Sequence, residues 1–190
     1  MEGVQLKVSP RASRPLGWGA GILALSVGLA VVAGALWGLT RPGYIASFDD
    51  GNARIDPLVS PDNVEFTSFA GFAVLTAFIG VVVGVTAFGS AQRRASVGRM
   101  LFAVAVAAFA SWTFYILGTA SAEWRHGVPD PHDLSQGDRF TLVPLLRPGP
   151  AWLAAPFTAA LAYWLGLVSS VGCDPAPGDA EYDERHVECD

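Results

Sequence analysis

Charge is what this sequence has least of. Only 15% of its 190 residues are Asp, Glu, Lys or Arg, where soluble domains carry about 25%. With 52% of residues hydrophobic, too little polar surface remains to cover a water-facing globule. The scarcity is uneven: Leu16–Thr40, Phe66–Gln92, Met100–Ala122 and Pro148–Cys173 hold no charge at all. Proton-coupled transport and intramembrane haem ligation by histidine therefore lack their usual residues, because those functions keep ionisable groups inside the spans. Cysteine is almost absent too: Cys173 and Cys189 form no CxxC pair, which disfavours a membrane thiol oxidoreductase. Neither a GxSxG elbow nor a phosphate-binding P-loop occurs, so serine hydrolase and ATPase readings have no residues to rest on. No basic, aromatic-interleaved face suggests nucleic acid.

Each of the four uncharged stretches exceeds the roughly 20 residues a helix needs to cross a hydrocarbon core. They predict transmembrane helices at about 16–40, 66–90, 99–122 and 150–172, forming one transmembrane domain over 16–172. Outer loops then cover 41–65 and 123–149, an inner loop covers 91–98, and tails occupy 1–15 and 173–190. The first span resembles a signal peptide in having Lys7, Arg11 and Arg14 before it and Ala33-Gly34-Ala35 within it. Its apolar stretch is longer than the 7–15 residues of a signal h-region, so the expectation is an uncleaved anchor. Arg93, Arg94 and Arg99 around the short second loop, with the basic N-terminal tail, belong on the cytoplasmic side. The expected location is the plasma membrane, multi-pass, with both termini cytoplasmic. The tail after Ser170 carries seven acids against Arg185 alone and reads as solvated and disordered.

Within a bilayer, contact faces need small residues that let backbones approach. Gly17 and Gly21, Gly34 and Gly38, and Gly80 and Gly84 form GxxxG pairs, predicting tight packing of the first two helices, with a homodimer face as the alternative use. Ala103, Ala107 and Ala110, and Ala155, Ala159 and Ala162, serve the third and fourth helices in the same way. Trp18, Trp37, Trp124, Trp152 and Trp164 lie near span ends and read as interface anchors. Trp112, Phe114 and Tyr115 are expected to fill the bundle interior. The hydroxyls of Ser26, Thr76, Ser111, Thr113 and Thr158 are expected to bond their own or a neighbouring helix.

The first loop reads "RPGYIASFDDGNARIDPLVSPDNVEF". Its β-prone run at Tyr44, Ile45 and Phe48 meets a Gly-containing turn and returns through Ala53, Arg54 and Ile55, which predicts a hairpin. "RFTLVPLLR", Arg139 to Arg147, is the only other strand-like run outside the expected spans, with Pro144 marking an edge or a break. An isolated hairpin is marginal in water, so the expected fold class is an all-α membrane bundle of four helices with a small extracytoplasmic β cap from loops 1 and 3. His126, Asp130, His132 and Asp133 in the third loop supply oxygen and nitrogen ligands for a divalent metal. Their spacing matches no standard zinc signature, and turn-forming loop residues are the simpler reading. Cys173, His186 and Cys189 likewise have nonstandard spacing. The expectation is no catalytic residue, no cofactor and no resident metal.

"GALWGLTRPGY" closing the first span, the Asp/Gly-rich loop after it, and "GDRFTLVPLLRPGPAWLAAPFTAALAYW" leading into the fourth span resemble an uncharacterised actinobacterial family of four-helix integral membrane proteins. The resemblance covers roughly Gly17 to Ser170. It implies four spans in the plasma membrane of a high-GC Gram-positive bacterium and carries no activity, cofactor or functional residue. The expected function is that of a non-enzymatic accessory or scaffold protein, with the bilayer and a membrane or envelope protein as partners. The alternatives are a small transport or lipid-handling protein acting as an oligomer, and a membrane enzyme with an outer His/Asp site.

Overall fold

The computed structural model describes residues 13–49, 52–90, 96–127 and 135–171, without the side chains of 13–16, 49, 52, 53 and 171. Four helices carry the chain: α1 (Ser13–Thr40), α2 (Val64–Gly89), α3 (Val97–His126) and α4 (Ala154–Val171), the last extending a 3-10 turn at Gly149–Leu153. Each has a stretch long and apolar enough to cross a membrane, from 22 residues at Gly149–Ser170 to 30 at Val97–His126. The helices overrun the uncharged stretches. α2 begins at Val64 and α3 continues through Glu123, Arg125 and His126, because backbone hydrogen bonding does not stop where apolar composition does. Pro156 falls in the first turn of α4, the part of a helix where a missing N–H costs least.

The strand expectations correspond to a three-stranded antiparallel sheet in the order β2-β1-β3. Its strands are β1 (Tyr44–Asp49), β2 (Asn52–Ile55) and β3 (Arg139–Leu142). Asp49 pairs with Asn52 across a two-residue connection, and Tyr44 pairs with Leu142. β3 is shorter than the Arg139–Arg147 run because Pro144 cannot donate to the ladder. After β2 the chain folds back, and Ser60 Oγ accepts from the Ile45 N–H at 3.1 Å.

Two hydrogen bonds set the helix directions. Trp18 Nε1 donates to Ser90 Oγ at 2.6 Å, bringing the start of α1 to the end of α2. The Ser96 N–H donates to Tyr163 Oη at 3.2 Å, bringing the start of α3 to the later part of α4. The helices therefore alternate in direction, and the sheet lies at the opposite end, where α1 and α3 finish. Tyr163 is fully buried and meets Phe88 edge-on at 5.8 Å. Tyr163→Phe is expected to lower unfolding free energy in detergent by about 1 kcal/mol, measured by reversible denaturation.

Helix pairing departs from chain order, since α1 packs chiefly on α3 and α2 chiefly on α4. Glycine explains the choice. A Cβ at Gly34 would lie 2.7 Å from the Phe114 carbonyl oxygen, and one at Gly38 would overlap the Gly118 carbonyl oxygen and Ser121 Oγ. On the second pair, a Cβ at Gly80 would overlap Ala155 and Thr158, and one at Gly84 would overlap Ala159. The first two helices are thus tightly packed chiefly onto α3 and α4, with a smaller contact between them at Trp18–Ser90 and Trp37–Phe72. Gly17 and Gly21 depart from the packing expectation: among the described residues nothing lies within 4 Å of a Cβ built on either.

At the sheet end the interior holds five rings from all four helical segments. Phe72 touches Trp37, Phe114, Tyr115 and Trp152 at centroid separations of 6.3, 5.8, 6.3 and 5.6 Å. Farther along, Ile79, Val83, Ala103, Ala107, Ala110 and Ala159 close the core. Trp112 is a correction to the interior expectation, because it is exposed while its neighbour Phe114 is buried; adjacent helical residues are about 100° apart around the axis. Thr76 and Thr113 donate to carbonyls one turn back, and Ser26 donates to the Leu23 carbonyl. Thr158 Oγ1 also reaches the Ala77 carbonyl across the α2–α4 contact at 2.8 Å. Ser111 Oγ is buried without a partner among the described residues.

Candidate functional site

The sheet end places one charge inside the protein. Pro42 disfavours helical geometry at the residue before it, so α1 stops at Thr40 and the chain turns at Arg41. Arg41 is only 4% exposed. Its Nε donates to Ser68 Oγ on α2 at 3.2 Å, its Nη2 donates to the Pro144 carbonyl, and its guanidinium stands 5.4 Å from the centre of the Trp37 ring. Arg41 thereby ties the end of α1, the first turns of α2 and the segment after β3 into one unit. Burial pushes its pKa below the ordinary arginine value, with the Tyr115 phenol acting in the opposite direction. Arginine remains cationic in proteins even so.

Arg41 opens onto a cavity of about 460 Å³ that Glu65, Phe66, Phe69, Leu145 and Arg147 also line. Arg147 is exposed. The segment carrying it is held by Tyr115, whose Oη donates to the Leu146 carbonyl at 3.2 Å. Sequence reasoning placed Arg41 only at the edge of an outer loop. A local signal was present in the Arg-Pro order, which ends a helix and leaves the arginine at its mouth, but the burial depends on Ser68 and Pro144, 27 and 103 residues away.

A second cavity of about 100 Å³ lies between the end of α3 and β3, lined by Glu123, His126, Phe140 and Leu142 among others. His126 is the last residue of α3, and its buried Nε2 has no hydrogen-bond partner among the described residues. The other three metal candidates, Asp130, His132 and Asp133, lie outside the described residues, as do Cys173, His186 and Cys189. Among the described residues no group of three His, Cys, Asp or Glu side chains comes together to hold a metal ion.

The tryptophans divide by direction. Trp124 and Trp164 are exposed, at 80% and 52%. Trp18 is half-buried and carries the Arg99 guanidinium 4.8 Å from its ring centre. Trp152 packs on Phe72 and Tyr115. Trp37 differs from an anchor in facing the bundle core, because Gly118 and Gly71 leave room for its ring there. No family model matches this chain, and neither a curated protein nor a solved structure is significantly similar to it.

Proposed function

We propose that this chain is a multi-pass plasma-membrane protein with cytoplasmic termini, acting without catalysis as an accessory or scaffold for a membrane or envelope component that docks at the sheet end. The membrane part is supported by the outward faces of the helices, which carry exposed Leu36, Val74, Phe78, Val85 and Phe157. Large apolar side chains exposed along all four helices suit hydrocarbon and would favour aggregation in water. The arginines of the inner loop support the orientation, which puts the sheet outside the cytoplasm.

The observation that carries the docking role is an apolar cluster beside an open sheet edge. β2 is an edge strand, so half of its backbone groups are free to pair with another chain. Beside it Ile55, Leu58 and Val59 are exposed, Leu58 at 94%. A photo-crosslinking residue placed at Leu58 in cells is expected to capture a reproducible protein partner, identified by mass spectrometry. Crosslinks to lipid alone would overturn the docking role and make this cluster a membrane-interface contact.

One observation favours the alternative of a transport or lipid-handling oligomer: Gly17 and Gly21 form a small-residue face that nothing among the described residues covers. The path would then run between copies or along the lipid-facing surface, because rings and alanines fill the interior of the single bundle.

A further inference from the structure

The tripeptide Arg-Pro-Gly occurs at Arg41–Gly43, directly after α1, and again at Arg147–Gly149, leading into the 3-10 turn that α4 extends. Both arginines line the same cavity of about 460 Å³, a volume within the usual range of small-ligand sites. A guanidinium has five N–H donors. Ser68 and Pro144 engage two groups of Arg41, leaving donors without a protein acceptor among the described residues. Neither Arg41 nor Arg147 forms an ion pair with a carboxylate among the described residues, and the Arg147 side chain makes no hydrogen bond there. The first turn of α2 forms another part of the wall through Glu65 and Phe66, adding the positive end of a helix dipole. Leaving a buried charge without its partner is costly, and Glu65, the one carboxylate on the wall, forms no ion pair with either arginine among the described residues, so the cavity favours an anion placed between them.

We infer that this cavity binds a phosphate oxyanion, with Arg41 as the fixed inner donor and Arg147 as the outer clamp. A phospholipid headgroup and free phosphate share that chemistry. Two features favour the lipid. Exposed Phe66 and Leu145 on the cavity wall offer an apolar exit for acyl chains. The Glu65 carboxylate on the same wall penalises a phosphate dianion more than the single charge of a phosphodiester. The lipid source rests on the membrane reading proposed above, whereas the oxyanion site does not.

The test uses the full chain in detergent, titrated with phosphatidylglycerol, with phosphatidylcholine and with inorganic phosphate, and read by native mass spectrometry. Phosphatidylglycerol is expected to bind in preference to phosphatidylcholine. Arg147→Gln is expected to weaken binding about tenfold, the loss of one charge-assisted contact. Because Arg147 is exposed, this variant is expected to melt like the parent, and an Arg41→Lys variant, which keeps the charge but loses the planar fork, supplies a second measurement. Arg99→Gln, at the far end of the bundle, removes the same charge and should leave binding unchanged. Phosphate binding that depends on Arg147, without discrimination between the two lipids, would keep the site and make free phosphate its ligand. Binding of neither, equal binding by Arg147→Gln and the parent, or equal weakening by Arg99→Gln would overturn the inference. Such a failure leaves the Leu58 crosslink untouched, so the two readings fail separately.

Discussion

Gly38→Val is expected to remove most folded protein from the membrane, whereas Gly21→Val in the same helix leaves it unchanged. At Gly38 a Cβ alone would overlap the Gly118 carbonyl oxygen and Ser121 Oγ. A backbone carbonyl cannot rotate away as a side chain can, so α1 and α3 must separate. Separation also breaks the Gly34 contact with Phe114 one turn earlier. Overpacking alone costs about 1–3 kcal/mol, and the lost dispersion contacts along the pair add to it, so a total of about 3 kcal/mol or more is expected. Helices in a bilayer have no hydrophobic term with which to offset that loss. Membrane abundance and thermal unfolding in detergent measure it. Because a Cβ at Gly21 meets nothing among the described residues, equal damage from Gly21→Val would overturn the packing account. Loss of a dimer without loss of monomer stability would assign the Gly17/Gly21 face to self-association.

Phe72→Ala is expected to cost about 2–4 kcal/mol, the largest effect of any single ring. In lipid the transfer part of a truncation nearly vanishes, because the separated helix would expose the same ring to hydrocarbon. What remains is the cavity and the lost ring contacts. Phe72 is completely buried and touches four other rings, three of them edge-on. Such pairs contribute roughly 0.5–1.5 kcal/mol each beyond buried area. Phe78, on the same helix but exposed, provides the contrast, with a change within about 0.5 kcal/mol expected for Phe78→Ala. Similar unfolding free energies for the two variants would sink the ring-cluster explanation. Loss of Phe72 should also loosen Trp37, over which Arg41 sits, so weaker phosphate binding in this variant would couple the core to the cavity.

The features legible in the sequence are those whose cause is local. An uncharged run of more than 20 residues is sufficient for a helix that can span hydrocarbon, and four runs correspond to four helices. The Asp50-Gly51 connection between β-prone residues is likewise enough for a hairpin. The prolines stop elements wherever their missing N–H would be needed, as Pro144 does after β3. Small residues at four-residue spacing marked Gly34, Gly38, Gly80 and Gly84 as contact positions, and all four are contacts.

The tertiary structure decided which face of each helix turns inward and against which partner. A soluble helix announces its buried side by a polar stripe on the other, but these helices are apolar all round, so rotation about the axis has no local signal. That is why Gly17 and Gly34, alike in sequence context, have opposite roles, and why Trp37 and Phe114 are buried while Trp112 is exposed. It is also why Arg41 read as a loop residue. Its inward position depends on hydrogen bonds to Ser68 and Pro144, and the cavity it shares with Arg147 exists only once segments more than a hundred residues apart have packed together.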